Sequence, residues 1–173
     1  MELKNARILL TGATGGLGRA LAMELSRAGA ALLLTGRNAS RLETLRASLP
    51  APSSILQADL DTAEGIAAAR QAAREFNVNV LINYACVGCV GLLEQQDWDE
   101  VARVLHTNLS VPIRLTQALL PWLTAQPQAA IVNMGSTFGS IPFAGFSAYS
   151  AAKAGLRGFS QALRHELADT RVE

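Results

Sequence analysis

The chain has 173 residues, half of them hydrophobic, with 15 Lys and Arg against 14 Asp and Glu and only two cysteines. A chain of this length hides roughly 70% of its unfolded surface in one domain without disulfide or metal staples, and its near-neutral charge excludes the concentrated positive surface that nucleic acid demands. Its apolar content excludes disorder, two cysteines make no disulfide framework, and the lack of a membrane-length apolar run or a secretory leader in residues 1–7 predicts a cytoplasmic protein without membrane partners.

Apolar bursts alternate with longer amphipathic stretches. Ile8, Leu9 and Leu10 predict a buried strand ending at Thr11 and Gly12. Leu17, Leu21, Leu25 and Ala28 then recur at helical spacing, and Gly29 stops that helix. Residues 31–35 predict a second strand, broken by Gly36. Leu42, Leu45 and Leu49 mark a second helix over residues 39–49, closed by Pro50 and Pro52. Residues 54–56 read as a third strand, 62–75 as an alanine-rich helix and 78–82 as a fourth strand. Asp97 is placed to cap one long helix running to about Leu123, with Asp99 and Glu100 suiting the dipole of its first turn. Residues 130–134 predict a fifth strand. Ser147 is placed to cap a last helix in which Ala152, Leu156, Phe159, Leu163 and Leu167 share a face. A further strand is expected to begin at residues 171–173.

Five strand–helix units in series require parallel strands, because each helix carries the chain back. Near-continuous apolar strands fit a sheet covered on both faces. Right-handed crossovers then predict a doubly wound α/β sheet, the Rossmann fold, as a single domain over residues 1–173.

The stretch from Thr11 through Gly12, Thr14, Gly15, Gly16 and Leu17 to Gly18 lies between the first strand and the first helix, the context that a dinucleotide fingerprint requires. Glycines let backbone approach a pyrophosphate, and the helix N-terminus offers free N–H groups. A tight turn without ligand would use the same residues. The second strand ends in Gly36, Arg37 and Asn38, with no acid to hold a ribose 2′-hydroxyl. Arg37 is about twenty residues beyond the turn, where a guanidinium pairs with the 2′-phosphate of NADP. Arg41, one turn later, is placed to help. Asp59 after the third strand is placed either to accept from an adenine amino group or to cap the next helix. Tyr149 and Lys153 share a helix face at i, i+4 spacing. A phenol alone ionises near pH 10, and an ammonium close by favours the phenolate. Ser136 follows the fifth strand, on the sheet edge where ligands bind in this architecture.

Together Thr11 to Gly18, Asn83, Asn108, Ser136, Tyr149 and Lys153 resemble the short-chain dehydrogenase/reductase family, in order and in spacing, from the first strand to the last residue. The resemblance implies an NADP(H)-dependent oxidoreductase acting on a small carbonyl or alcohol, with the oxoacyl-carrier-protein reductase group as one substrate class. Tyr149 is implied as general acid and base, Lys153 as its tuner and ribose ligand, Ser136 as the group that polarises the carbonyl, and Asn108 as part of a proton relay. Thr11, Gly12, Thr14, Gly15, Gly16, Leu17, Gly18, Arg37, Asp59, Leu60, Asn83, Ala85, Tyr149 and Lys153 form the implied cofactor set. A homodimer or homotetramer through the 97–123 and 148–168 helices is also implied. Pro112 supports the Asn108 role independently. Proline has no N–H for the carbonyl four residues earlier, so a bend and a carbonyl free to hold a relay water are expected at Asn108.

Departures from the family pattern leave two other readings open, an NADP-binding module without turnover and a nucleotide-sugar epimerase or dehydratase. The family's Asn-Asn-Ala-Gly reads Asn83-Tyr84-Ala85-Cys86 here, which puts a ring and a Cβ close to the expected cofactor path. Gly12, Gly16 and Gly18 fit the short-chain spacing, while Gly12, Gly15 and Gly18 fit the epimerase spacing. Cys86 and Cys89 make a lone C-x-x-C, expected to be incidental thiols with no metal. His106 is expected to pack or face the surface, and His165 to be solvated. The family's later strands and substrate-covering segment are not in the sequence, so the fifth strand is expected to be an unpaired edge.

Overall fold

The computed structural model describes residues 2–173. Five strands, β1 (Arg7–Thr11), β2 (Ala31–Gly36), β3 (Ser53–Gln57), β4 (Val80–Asn83) and β5 (Ala130–Asn133), form one parallel sheet in the order β3-β2-β1-β4-β5. The order reverses between β1 and β4, and in such sheets a crevice opens at that switch point beyond the carboxyl ends.

Period-two burial splits the core into two layers. Ile8, Leu10, Leu32 and Leu34 point to one face, where Ala22 and Leu25 of α1 (Gly16–Arg27) and Leu42 and Leu45 of α2 (Ala39–Ser48) cover them. Leu9, Leu33 and Leu81 point to the other, against Ile66 and Ala69 of α3 (Ala63–Glu75) and Leu115, Leu119 and Leu123 of α5 (Val111–Leu123). Each fully buried leucine contributes about 1.5–3 kcal/mol over its exposed state. Among the described residues no helix is long and apolar enough to cross a membrane.

Helix ends follow local chemistry. Asn38, Thr62 and Asp97 accept N–H groups from Arg41, Gly65 and Asp99 and so cap α2, α3 and α4 (Trp98–Leu105). Gly29 and Asn77 take positive φ just beyond α1 and α3 and turn the chain into β2 and β4.

Four expectations are corrected. The long 97–123 helix is three pieces: α4, one π turn over His106–Ser110, and α5. Val111 N–H bonds the His106 carbonyl, five residues back, and Pro112 follows in the first turn of α5. Ser147 is the first residue of α6 (Ser147–Glu166) and makes no capping bond; Phe146 occupies the cap. The buried stripe of α1 is Gly18, Ala22, Leu25 and Ser26, so Ala28 is exposed and Leu17, 76% exposed, projects outward. Lastly, β5 is partly paired. Ala129 N–H bonds the Arg171 carbonyl at 3.1 Å, and Ile131 N–H bonds the Glu173 carbonyl at 2.9 Å.

Candidate active site

The β1–α1 turn is tight on one side and open on the other. Gly12 has φ +67°, and a Cβ there would stand 2.7 Å from the Ala85 Cα; one at Gly18 would stand 2.3 Å from the Gly12 carbonyl oxygen. These two glycines are demanded by backbone approach. A Cβ at Gly16 would meet nothing within 4 Å. The first turn of α1, where N–H groups have no intrahelical partner, faces that free space. The adjoining crevice holds about 500 Å³, with Gly15, Leu17, Arg37, Asp59, Leu60 and Ala85 in its walls.

Thr11, Gly18, Asn83, Tyr149 and Lys153 of the expected cofactor set lie outside the lining of this crevice, and Thr11 and Asn83 brace its walls. Thr11 is buried, and its hydroxyl accepts the N–H groups of Tyr84 and Ala85, each at 2.9 Å. Asn83 is buried and donates to Thr116 Oγ1 at 3.2 Å and Asn133 Oδ1 at 2.8 Å; Asn133 donates in turn to Ser160 on α6. That chain of amides ties β4, β5, α5 and α6 together. Asp59 does not cap α3, since Thr62 does; its carboxylate accepts from Asp61 N–H at 3.1 Å and is exposed at the crevice. Arg37 is exposed beside it. Thr14 is shared between the crevice and a notch of about 240 Å³ that also holds Arg19, Ser40 and Arg41.

The Tyr84 ring packs beneath the turn, its edge 3.2 Å from where a Gly18 Cβ would stand. Burial raises its phenol above the ordinary range, and the nearby Cys86 and Tyr149 add to this. Cys86 is exposed in the crevice wall. Cys89 donates to Glu100 at 3.4 Å, and burial followed by that carboxylate pushes its thiol up, so it stays protonated. His106 contacts the Asp61 carbonyl at 3.1 Å, and His165 is exposed.

Outside the lining of this crevice, Lys153 on α6 is only 3% exposed and its ammonium lies 5.8 Å from the Tyr149 ring centroid. Nζ donates to the Met134 carbonyl at 2.7 Å. Burial lowers the lysine below its ordinary value, with Cys86 acting in the opposite direction. Ser136 is fixed from both sides. Met134 before it is held by Lys153, and Phe138 after it, whose N–H donates to Ser136 Oγ at 3.2 Å, packs edge-on against Tyr149 at 6.2 Å. The short 3-10 turn over Thr137–Gly139 seats directly on α6, because a Cβ at Gly139 would stand 2.8 Å from the Lys153 carbonyl carbon. Asn108, fully buried in the π turn, clamps the loop after β4: Oδ1 accepts Val87 N–H at 2.9 Å and Nδ2 donates to the Val87 carbonyl at 2.7 Å.

Catalytic spacing gives no sign of Phe138 and Phe146, which meet the Tyr149 ring edge-on, or of Phe143, which stacks on Phe138. Their signal is compositional: three of the five phenylalanines fall in residues 138–146.

A parallel sheet with its crevice at the switch point, a glycine turn shaped by backbone contact, and a tyrosine–lysine pair on α6 make up an oxidoreductase architecture. The short chain dehydrogenase family model matches residues 6–173, and the chain belongs to that family. It is 35% identical over 172 residues to the 3-oxoacyl-acyl-carrier-protein reductase FabG of Pseudomonas aeruginosa, covering 96% of this chain and 70% of the relative. Among solved structures, a short-chain dehydrogenase from Streptomyces avermitilis superposes with TM-score 0.89 at 34% identity, over 97% of this chain and 63% of that one. A metagenomic short-chain oxidoreductase in complex with NADP superposes with TM-score 0.91 at 30% identity, over all of this chain and 80% of that one. The chain thus spans from 63% to 80% of the length of these three proteins.

Proposed function

We propose that the chain carries the catalytic and cofactor-binding parts of an NADP(H)-dependent carbonyl reductase, working in the alcohol-oxidising direction as well. The observation that carries this reading is the buried Lys153 ammonium beside the Tyr149 ring, with Ser136 fixed between contacts to both. The chemistry that a nicotinamide dinucleotide supplies when bound is hydride transfer.

The residues present fit such a group. Gly16 leaves open space in front of the α1 N-terminus, which suits a pyrophosphate. Arg37 at the end of β2, with no acid nearby in sequence, suits a 2′-phosphate, and Arg41 and Arg19 extend the positive charge through the adjoining notch. Lys153 has three N–H groups and gives one to Met134, so two remain for ribose hydroxyls.

Ser136 Oγ accepts from Phe138 N–H and keeps its own proton to donate to a substrate carbonyl. The Tyr149 hydroxyl delivers the proton to that oxygen as the alcohol forms, and the ammonium beside the ring stabilises the negative charge left on the phenol oxygen. Asn108 has its side chain committed to Val87, so its part in reprotonation falls to its main-chain carbonyl, which Pro112 cannot serve. Homo-oligomerisation through α4, α5 and α6 belongs to the same reading. Trp98, 71% exposed, stands over a shallow groove with Leu105 and His106.

The test is NADPH oxidation against a ketone panel, compared with Tyr149→Phe. Retained turnover in that variant overturns the catalytic assignment. Cofactor binding without turnover on any ketone would instead favour a binding module.

A further inference from the structure

Asp59 is exposed at the crevice, and an exposed carboxylate samples several rotamers unless something holds it. Its backbone is fixed from below. Thr62 donates to the Asp59 carbonyl through Oγ1 at 2.9 Å and through N–H at 3.2 Å, and α3 passes so close that a Cβ at Gly65 would run into that same oxygen. Its side chain is fixed by Asp61, whose N–H donates to Oδ1 at 3.1 Å. Asp61 is held in turn by the π turn. Thr107 Oγ1 donates to the Asp61 carboxylate at 3.2 Å, and His106 Nε2 contacts the Asp61 carbonyl at 3.1 Å.

Thr107, Asp61 and Asp59 therefore form a relay that crosses from the π turn to the β3–α3 loop, between residues 46 apart in sequence. A hydroxyl within a helix commonly turns back to the carbonyl four residues earlier, as Thr44 and Ser160 do here. Thr107 leaves its own helix for a carboxylate at the crevice. Arg103, Thr107 and Val111 recur one turn apart and line the same crevice as Asp59, Leu60 and Asp61. The next residue, Asn108, holds the loop after β4 at Val87, so one π turn braces two of the loops that line the crevice. With the Asp61 carboxylate occupied by Thr107, its N–H is set toward Asp59, which leaves the Asp59 carboxylate to accept from a ligand. A carboxylate ordered in advance loses less freedom when the ligand arrives.

We propose that Thr107, acting through Asp61, is a positioning residue for the adenine end of the dinucleotide, and that it fixes the rotamer with which Asp59 accepts the 6-amino group. This rests on the cofactor reading given above. It is tested by calorimetric titration of the chain with NADPH and with its hypoxanthine analogue, which carries a 6-oxo group in place of the 6-amino group. The wild-type chain is expected to bind NADPH roughly tenfold more tightly than the analogue. Thr107→Val keeps the shape and removes the donor, and it is expected to weaken NADPH about fivefold while leaving the analogue unchanged. Thr107→Ser keeps the donor and is expected to preserve the wild-type ratio. On an Asp59→Ala background, where the acceptor is gone, Thr107→Val is expected to cost nothing further. Asp61→Ala cuts the relay from the other side and is expected to give the same selective loss, which keeps the test decisive if the valine variant does not fold.

Equal weakening of both dinucleotides by Thr107→Val, or the same loss with and without Asp59, makes the contact a structural brace and overturns the inference. Unchanged NADPH affinity overturns it as well. A wild-type chain that binds neither dinucleotide refutes the cofactor reading itself, and the inference falls with it.

Discussion

At the β1 turn an added carbon on Gly12 or Gly18 would stand 2.7 or 2.3 Å from backbone, whereas Ile141 and Phe143 at the mouth above α6 stand about two-thirds exposed. One wall of the crevice is made of main chain in contact with main chain. The segment between β5 and α6, outside the lining of that crevice, is made of side chains fixed at their bases by Lys153 and the Gly139 contact and free at their tips. The difference separates what must be constant from what can vary. A phosphate chain is recognised by N–H groups at fixed positions, so its seat tolerates no added atom. A substrate is recognised by surface shape, which side chains alter without moving the backbone.

Variants can break this contrast in order of expected effect. Tyr149→Phe keeps the ring packed against Phe138 and Phe146 and removes only the hydroxyl, so turnover is expected to fall by about 10²–10⁴-fold with no change in melting temperature. A parallel loss of stability would mean that the hydroxyl is structural.

Gly12→Ala is the opposite experiment. Strain at positive φ together with the clash on Ala85 is expected to remove about 1–3 kcal/mol, or several degrees in thermal denaturation. Gly16→Ala adds the same carbon in open space and should leave the melting temperature unchanged while weakening dinucleotide binding. Equal destabilisation by both alanines would erase the distinction between the two sides of the turn.

Arg37→Ala sharpens the cofactor side. NADPH affinity is expected to drop about tenfold and NADH affinity to stay level, the modest size reflecting an exposed charge pair. The smallest effect is in pH. Burial holds Lys153 below its ordinary 10.5, so the unfolded chain binds the extra proton between the lowered value and 10.5. Through that window the stability of the wild-type chain should rise relative to Lys153→Met, and above 10.5 the difference should level off. Denaturant midpoints measured across the alkaline range test the sign.

Much of the fold is legible in sequence because it depends on neighbours along the chain. The apolar runs at Ile8–Leu10 and Leu32–Leu34, and the caps Asn38, Thr62 and Asp97, need no distant partner to act. The glycine turn and the Tyr149–Lys153 spacing are local in the same way. Leu17 shows where such reading stops. It is in phase with the apolar stripe of α1, yet the helix seats by Gly18 on the Gly12 carbonyl, and this turns Leu17 out to the crevice.

What the sequence determined by itself is the alternation of strands and helices and the order of the chemical groups along them, because hydrophobic period and backbone preference are properties of adjacent residues. Only the tertiary structure decided that Thr11 and Asn83 brace the walls, that Asn108 clamps Val87, and that Phe138 and Phe146 meet on Tyr149. Those pairings join residues far apart in the chain, or aim rings within a loop. They follow from how β4, β5 and α6 register against one another, which no run of neighbouring residues encodes.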